Sequence, residues 1–354
     1  MTLILNNDEV RRVLTMDACL EILEDAYREQ AAGRAMNQLR YDTEMPLPEM
    51  RNDGRYEFKT MVGILPKYGV SALRMSSSIV HHPEISGQKR VEKLPAAPGR
   101  RWVGLVQLYS TVTGEPLAIM PDGYLQRCRV AASSAIAAKY LAREDASVLG
   151  IFGSGWQARG QAEAMARVRR LKKVKVYSPT AENRKKFARE LEPVIGVEIE
   201  PVERPEEVAK RADIVACATN ARETVLHARW VEKGMHLTDV KRVEIAPAIL
   251  ERADRVVIHQ RLAYETRIGG AGQYGELEDS SWRSEDFEGY PLLEEMVAGK
   301  VAGRQGQDEI TYFWNNAGLG LQFAAVGYVI YKRAKEGGLG REIPTEWLTQ
   351  EFHT

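Results

Sequence analysis

Cysteine is scarce and scattered. Cys19, Cys128 and Cys217 stand far apart with no C-x-x-C pair. That leaves no disulfide framework and no thiolate metal set, and it fits a reducing, cytoplasmic setting. Histidine is almost as sparse, with 6 in 354 residues. The adjacent His81 and His82 have no further ligands at metal-binding spacing, so no metal is expected. A surplus of either charge is missing too: Lys plus Arg and Asp plus Glu both number 49, which argues against broad binding to nucleic acid or to an anionic membrane. No run approaches the roughly 20 apolar residues of a membrane helix. The opening "MTLILNNDEVRRVL" turns polar too early for a secretory leader. Internal repeats and low-complexity tracts are also lacking.

What is present is an ordinary globular composition, 44% hydrophobic and 28% charged, on a chain long enough for two domains and a core that needs no cross-links. Met16, Leu20, Leu23 and Tyr27 recur at helical spacing, and Gly33 follows, predicting an amphipathic helix over Thr15 to Ala32. From Met36 to about Ala118 the pattern changes to short extended runs, "YEFKTMVGI", "VSALRMSSSIV" and "WVGLVQLYST", broken by Pro and Gly. A mostly antiparallel sheet is expected there. Within it, "HHPEISGQKRVEKLPAAPGRR" reads as a long polar loop and Thr113-Gly114-Glu115-Pro116 as a hairpin turn. After the Ala-rich helix "RVAASSAIAAKYLARED", the apolar runs "SVLGIFG", "KVKVYS", "ADIVACAT", "MHLTDV" and "DRVVIHQ" alternate with helical segments. That alternation predicts a parallel sheet with helices on both faces. The tail, "NAGLGLQFAAVGYVIYKRAKEGG", reads as one long apolar helix.

The chemistry begins at "SVLGIFGSGWQARGQAEAMARV". Gly153 permits a tight turn after a buried strand, Gly155 lets backbone approach a diphosphate, and Ala158 is small enough for the helix to pack on the strand. The helix amino-terminus then offers unpaired N–H groups to phosphate oxygens. A strand before the turn, a helix after it and further strand–helix pairs behind it raise the G-x-G-x-x-A pattern above a chance match. Gly153, Ser154, Gly155, Trp156, Gln157 and Ala158 are therefore candidate dinucleotide contacts. The next strand ends in Ser178-Pro179-Thr180 without the carboxylate that often meets a ribose 2′-OH. Asn183, Arg184 and Lys185 follow, suited to a 2′-phosphate. Ser178, Thr180 and Arg184 join the cofactor candidates, and NADP(H) is favoured over NAD(H). Arginine suits a carboxylate because its planar fork donates two parallel hydrogen bonds. Arg40, Arg74, Arg127 and Arg129 lie in the first part of the chain. Arg129 stands out, because its helix feeds directly into the nucleotide-binding strand.

Taken together, "GEPLAIMPDGYLQRCRVAASSAIAAKYLARED", "LGIFGSGWQARGQAEA", "WVEKGMHL" and "DEITYFWNNAGLGLQFAAVGYVIYKRAKEGGLG" resemble the ornithine cyclodeaminase/mu-crystallin family over most of the chain. The resemblance implies an α/β protein with a Rossmann-type doubly wound parallel sheet (residues 128–319). It also implies an α+β substrate-binding and dimerisation domain built from both chain ends (1–127 with 320–354). The protein would be a homodimer with its active site between the domains. Hydride exchange at an amino-acid α-carbon, through an imine, is the implied chemistry: an NAD(P)H-dependent ketimine or iminoacid reductase or an amino-acid dehydrogenase. The alternatives are an ornithine-type cyclodeaminase that uses the nucleotide catalytically, and a non-catalytic NADP-dependent binding protein of the mu-crystallin type. By the resemblance, Arg129 holds a substrate carboxylate, Arg40 is a second contact, and Thr219, Asn220 and Gly318 line the cofactor. Two departures stand out. Arg74 occupies the place of a catalytic lysine, and an arginine does not give up its proton near neutral pH. The glycine-rich acidic loop expected after "GMHL" is missing, with Asp239 nearby as a catalytic stand-in and Glu57, Lys59, His81, His82 and Lys241 as further ones. Arg74 is thus both a catalytic and a substrate-binding candidate, suited to a substrate with an extra anionic group.

Overall fold

Strict alternation of side chains shapes the first sheet. Along Val70–His81 every second residue is buried, and Arg55–Leu65 alternates nearly as strictly. A strand exposes successive side chains to opposite faces, so this pattern covers one face and leaves the other open. The computed structural model describes residues 1–50, 54–85, 88–89, 91–261, 264–268 and 289–352. In it the first sheet runs, edge to edge, through Tyr264–Ile268, Arg40–Pro46, Arg55–Leu65, Val70–His81, Val103–Ser110, Pro116–Pro121, Thr2–Ile4 and Arg341–Ile343. Neighbours in its centre are antiparallel. The strand Thr2–Ile4 is parallel to Pro116–Pro121, and Tyr264–Ile268 is parallel to Arg40–Pro46.

The second sheet has seven strands, all parallel: Glu198–Pro201, Lys173–Tyr177, Val148–Phe152, Ile214–Cys217, His236–Asp239, Thr311–Trp314 and Arg255–Ile258. The strand order reverses direction at Val148–Phe152, which opens a crevice at the carboxyl end of the sheet between that strand and Ile214–Cys217. Helices Trp156–Val168 and Ala181–Ile195 follow the first two strands in sequence. The fold is the doubly wound α/β arrangement anticipated above.

Helix Gly123–Leu141 joins the two sheets. It is Ala- and Ser-rich and buried on almost every side, as expected of a helix with no polar stripe. It packs against helices Met16–Ala31, Trp156–Val168 and Gly320–Glu336 and against the strands His236–Asp239 and Thr311–Trp314. One hydrophobic cluster therefore runs continuously from Leu3 and Met120 through Ala131 and Ile136 to Leu149 and Val174. Where helix Gly320–Glu336 meets strand Arg55–Leu65, backbone touches backbone. A Cβ on Gly63 would fall 2.1 Å from Leu321 N, and one on Gly320 2.1 Å from Val62 C.

The structure corrects several sequence expectations. The polar stretch His81 to Arg101 is not all loop. Glu92–Leu94 pairs with Ile79–His81, and Glu84–Ile85 with Gln88–Lys89, while Ser86, Gly87 and Arg90 lie outside the described residues. Thr311–Trp314, to which no element is assigned above, is a central strand slotted between His236–Asp239 and Arg255–Ile258. The apolar start Thr2–Ile4 is a strand, because pairing on both sides satisfies its backbone.

Candidate functional site

At the glycine turn, Gly153 adopts φ +105°, and a Cβ there would fall 2.3 Å from Ala218 O. Only glycine fits both the conformation and the approach. Its N–H donates to Tyr177 O (2.8 Å), and Ala218 N donates to Phe152 O (2.9 Å), so the turn sits between the ends of three parallel strands. Gly155 caps helix Trp156–Val168 with no side-chain hydrogen bond, and a Cβ on it would meet nothing within 4 Å. The space beside Gly155 is thus open and the helix start has no side-chain cap, as the approach of a diphosphate to helix-start N–H groups requires. Ala158 is completely buried. Trp156 is exposed, with Arg127 and Arg11 over its ring at 4.9 and 5.3 Å. Gln157 keeps a buried Oε1 without a partner.

At the end of strand Lys173–Tyr177, Ser178 Oγ donates to Thr180 O (3.3 Å), and Arg184 Nη1 donates to Ser178 O (3.0 Å). Thr180 starts the following helix without a side-chain cap. Thr219 and Asn220 follow strand Ile214–Cys217. Thr219 Oγ1 accepts from Ala221 N (3.1 Å), and Thr219 N donates to the buried Glu244 carboxylate at 2.5 Å. Val240 N and Lys241 N donate to the other Glu244 oxygen at 3.3 and 3.1 Å. Glu244, which the sequence reading passed over, therefore ties together the loops beyond two neighbouring strands. Burial pushes its pKa up against those hydrogen bonds.

Asp239 ends strand His236–Asp239, fully buried, and accepts from Tyr312 Oη at 3.0 Å. Burial, with Glu244 beside it, raises its pKa well above the carboxylate range. Among the further candidates, Lys59 pairs with Asp42 and Glu57, and His81 lies 3.5 Å from Glu92. Lys241 adjoins Glu244, and burial lowers its pKa. Among the described residues no three His, Cys, Asp or Glu side chains gather as a metal set.

The arginines converge elsewhere. Arg129 and Arg74 are 4% and 5% exposed, and both guanidiniums lie over the Phe323 ring, at 5.0 and 5.5 Å. Arg74 is engaged: Nε and Nη2 reach Asp122 Oδ2 at 2.8 and 2.7 Å, and Nη2 donates to Gln126 at 3.0 Å. Arg40 pairs with Asp42 at 2.8 Å. Arg129 donates through Nη1 to the neutral Gln322 Oε1 (3.0 Å), and its buried Nε has no partner among the described residues. Burial, with Arg74 beside it, pushes the Arg129 pKa down to about 9, the signature of a cation short of an anion. Gly318 closes over it, since a Cβ there would fall 2.6 Å from Arg129 Nη1.

Behind Arg129 stands a buried polar network that sequence reading missed. Gln322 Oε1 also accepts from Leu319 N (3.0 Å), while its amide donates to Tyr27 Oη (2.9 Å) and Ser133 Oγ (2.6 Å). Tyr27 Oη is 3.0 Å from His259 Nε2, and His259 Nδ1 is 3.2 Å from Asn315 Oδ1. Asn315 Nδ2 donates to Val130 O and Ser134 Oγ. Because Arg129 can only donate and Asn315 uses its nitrogen elsewhere, the polarity is fixed. Tyr27 donates to His259 Nε2, and His259 donates from Nδ1. Burial, with Arg129 nearby, lowers the His259 pKa to about 4, which keeps the ring neutral. The one polar residue in the run "GLGLQFAAVG" was the available signal, since a buried amide must find partners.

Directly paired residues share a sheet face, and the face carrying Arg74 changes character along its length. Met61, Ala72, Val106 and Leu108 form an apolar half. Asp42, Glu44, Glu57, Lys59, Arg74, Ser76 and Ser78 form a polar half, assembled by the pairs Asp42–Lys59, Glu44–Glu57, Lys59–Ser76 and Glu57–Ser78.

A family model for the ornithine cyclodeaminase/mu-crystallin family matches residues 1–338. The alanine dehydrogenase of Archaeoglobus fulgidus is 31% identical over 349 residues, covering 97% of this chain and 98% of that protein. Delta(1)-pyrroline-2-carboxylate reductase of Thermococcus litoralis, solved with NADH and L-proline, superposes with a TM-score of 0.78 at 28% identity, over 97% of this chain and all of that one. An archaeal alanine dehydrogenase dimer with bound NAD gives a TM-score of 0.76 at 30% identity, over 97% of this chain and 99% of that one. With its glycine turn, its paired sheets and a match that runs nearly end to end, the chain belongs to the ornithine cyclodeaminase/mu-crystallin family.

Proposed function

We propose that this protein is an NAD(P)H-dependent oxidoreductase acting on an imine or amino acid, with hydride exchanged at an α-carbon whose carboxylate pairs with Arg129. One observation carries the reading: a buried guanidinium with a neutral partner and an unbonded Nε, on the helix that joins the nucleotide-type sheet to the polar half of the other. Uncompensated buried charge is costly, and a carboxylate accepting two parallel hydrogen bonds removes that cost.

A bound nicotinamide would supply the hydride chemistry. The chain's own part is to bind, orient and exclude water. The turn Gly153–Ala158 would hold the diphosphate, bordered by Thr219, Asn220 and Gly318. Ser178, Thr180 and Arg184 would meet the 2′ end. The lack of a carboxylate there, with a guanidinium already anchored on Ser178 O, favours NADP(H). Gln322 keeps the Arg129 fork in register, and the Phe323 ring supplies an apolar floor. Arg74, neutralised by Asp122, shapes the site and cannot transfer a proton at neutral pH. Asp239, enclosed and bonded to Tyr312, belongs to the interior of the parallel sheet.

The test is net cofactor consumption with keto acids and amines under NADPH and NADH. Turnover is expected, with Arg129→Met raising KM by about 100-fold and Arg184→Ala weakening NADPH more than NADH. No consumption with any imine, or an indifferent Arg129→Met, would refute the assignment.

We further propose a homodimer formed through the open face of the first sheet, where Tyr41, Met45, Tyr56 and Val103 are exposed. Apolar side chains left uncovered on a sheet mark an interface, and the archaeal alanine dehydrogenase neighbour is a dimer. Light scattering of a Tyr56→Asp variant should show monomer, and a dimer unaffected by that change places the contact elsewhere. Three buried cysteines without disulfides, and the absence among the described residues of any helix long and apolar enough to cross a membrane, support the cytoplasmic assignment. Recovery of the native protein from a cytosolic fraction is the check.

A further inference from the structure

The polar half of the sheet face can be balanced ion by ion. Arg40 and Lys59 meet Asp42, Lys59 also meets Glu57, Arg55 meets Glu44, and Arg74 meets Asp122. Among the described residues of this wall, two cations have no carboxylate: Arg129, bonded to Gln322, and Lys93, whose Nζ donates to Ser78 Oγ at 3.2 Å. Lys93 comes from the strand Glu92–Leu94 in the stretch read as loop. Its register opposite Val80 puts it on the same face as Arg74, Ser76 and Ser78.

A succession of contacts links the two cations. Arg129 and Arg74 share the Phe323 ring. A Cβ on Gly104, the partner of Ser76, would fall 2.2 Å from Asp122 Oδ1, so the Arg74–Asp122 pair sits over the Ser76 rung. Ser78 is two residues further along, roughly 7 Å at strand rise. Ser76 is 3% exposed, and its Oγ has no hydrogen-bond partner among the described residues. Lys93 itself is open to solvent, so a ligand can reach it.

We propose that Lys93, with the Ser76 and Ser78 hydroxyls, seats a second anionic group, so that the substrate is a dicarboxylic amino or imino acid anchored at one end by Arg129. This rests on the oxidoreductase reading for the reaction but not for the binding. It moves the extra-anion role from Arg74, which Asp122 already pairs, to a lysine whose Nζ forms no ion pair among the described residues and bonds Ser78 Oγ instead. The Lys93 residue is exposed as a whole, but its Nζ end lies against the wall, and that burial, with Lys59 and Arg74 nearby, lowers its pKa to about 8, opposed by Glu57 and Asp122. The ammonium form, and with it the preference, fades above that pH.

The experiment is calorimetric binding of succinate and glutarate against butyrate, to wild type and to Lys93→Met, with NADP+ or NAD+ saturating. Dicarboxylates should bind wild type at least tenfold tighter than butyrate, and Lys93→Met should abolish the advantage. Equal affinities in wild type, or an advantage that survives in Lys93→Met, overturns the proposal. Turnover is read separately on dicarboxylic and monocarboxylic imines. If Lys93→Met lowers kcat for both alike without changing the binding ratio, the lysine moves a proton and the proposal fails. If no imine turns over, the oxidoreductase reading falls while the binding result still decides this one.

Discussion

Replacing Gln322 by leucine keeps the side-chain bulk and removes four buried hydrogen bonds, from Arg129 Nη1 and Leu319 N to Oε1 and from Nε2 to Tyr27 and Ser133. The two oxygens on the far side keep other partners, so their loss is minor. Arg129 and the Leu319 N–H do not, and an ion left buried without its partner dominates the cost, giving about 3–5 kcal/mol in all. Against a total stability of about 5–15 kcal/mol this is large but survivable. Urea unfolding should show a clear drop in midpoint at unchanged slope. In the folded fraction the released guanidinium should raise KM for a carboxylate substrate by about 10- to 100-fold while kcat changes less, because ground-state holding is what is lost. Gln322→Glu gives the contrast: a carboxylate there neutralises Arg129 and competes with the substrate, so stability recovers while KM stays high. A Gln322→Leu loss below about 1 kcal/mol with KM unaltered would show that the amide does not hold Arg129.

Gly318→Ala places a methyl 2.6 Å from Arg129 Nη1 and should raise substrate KM, with some weakening of cofactor binding because Gly318 also borders the proposed cofactor site; a KM left unaltered would contradict the close approach. Gly153→Ala combines φ +105° with a 2.3 Å approach to Ala218 O. It should cost about 1–3 kcal/mol of stability and weaken cofactor binding strongly, read by fluorescence titration of the nicotinamide. His259 and His236 are buried with pKa values lowered to about 4 and about 3, chiefly by burial. The unfolded chain binds their protons below about pH 6.5 while the folded chain stays neutral, so stability should fall as pH drops from about 6.5 toward 4, by roughly 3 kcal/mol for His259 alone. A His259→Asn variant with the same acid slope would contradict that account.

The glycine turn and the strand–helix alternation were legible because they are local. A buried strand, a positive-φ glycine and a small residue at the helix start all lie within a dozen positions. That Arg129 lies on the helix running into that strand was legible for the same reason. What escaped depends on distant pairing. Tyr27 reads as one more apolar residue of a helix stripe, yet its hydroxyl is a hub whose partners come from positions 133, 259 and 322. Lys93 sits in a polar, Pro/Gly-rich stretch, and only pairing with Val80 turns it toward the site. Asp239 looked available because a carboxylate after an apolar run often ends a strand in the open. Here Tyr312, from a strand that no apolar run in the sequence analysis marked, covers it.

The one-way run of donors from Arg129 through Gln322 and Tyr27 to His259 gives the protein a built-in sensor. The His259 Nδ1 proton is held against Asn315 in a sealed interior, so it exchanges slowly with solvent and should give a separate downfield resonance. On the proposed function, a carboxylate docked on the guanidinium three hydrogen bonds away would polarise every link between, and that line would report occupancy of the site without any label; a resonance that does not move on saturation with a carboxylate ligand would contradict the coupling.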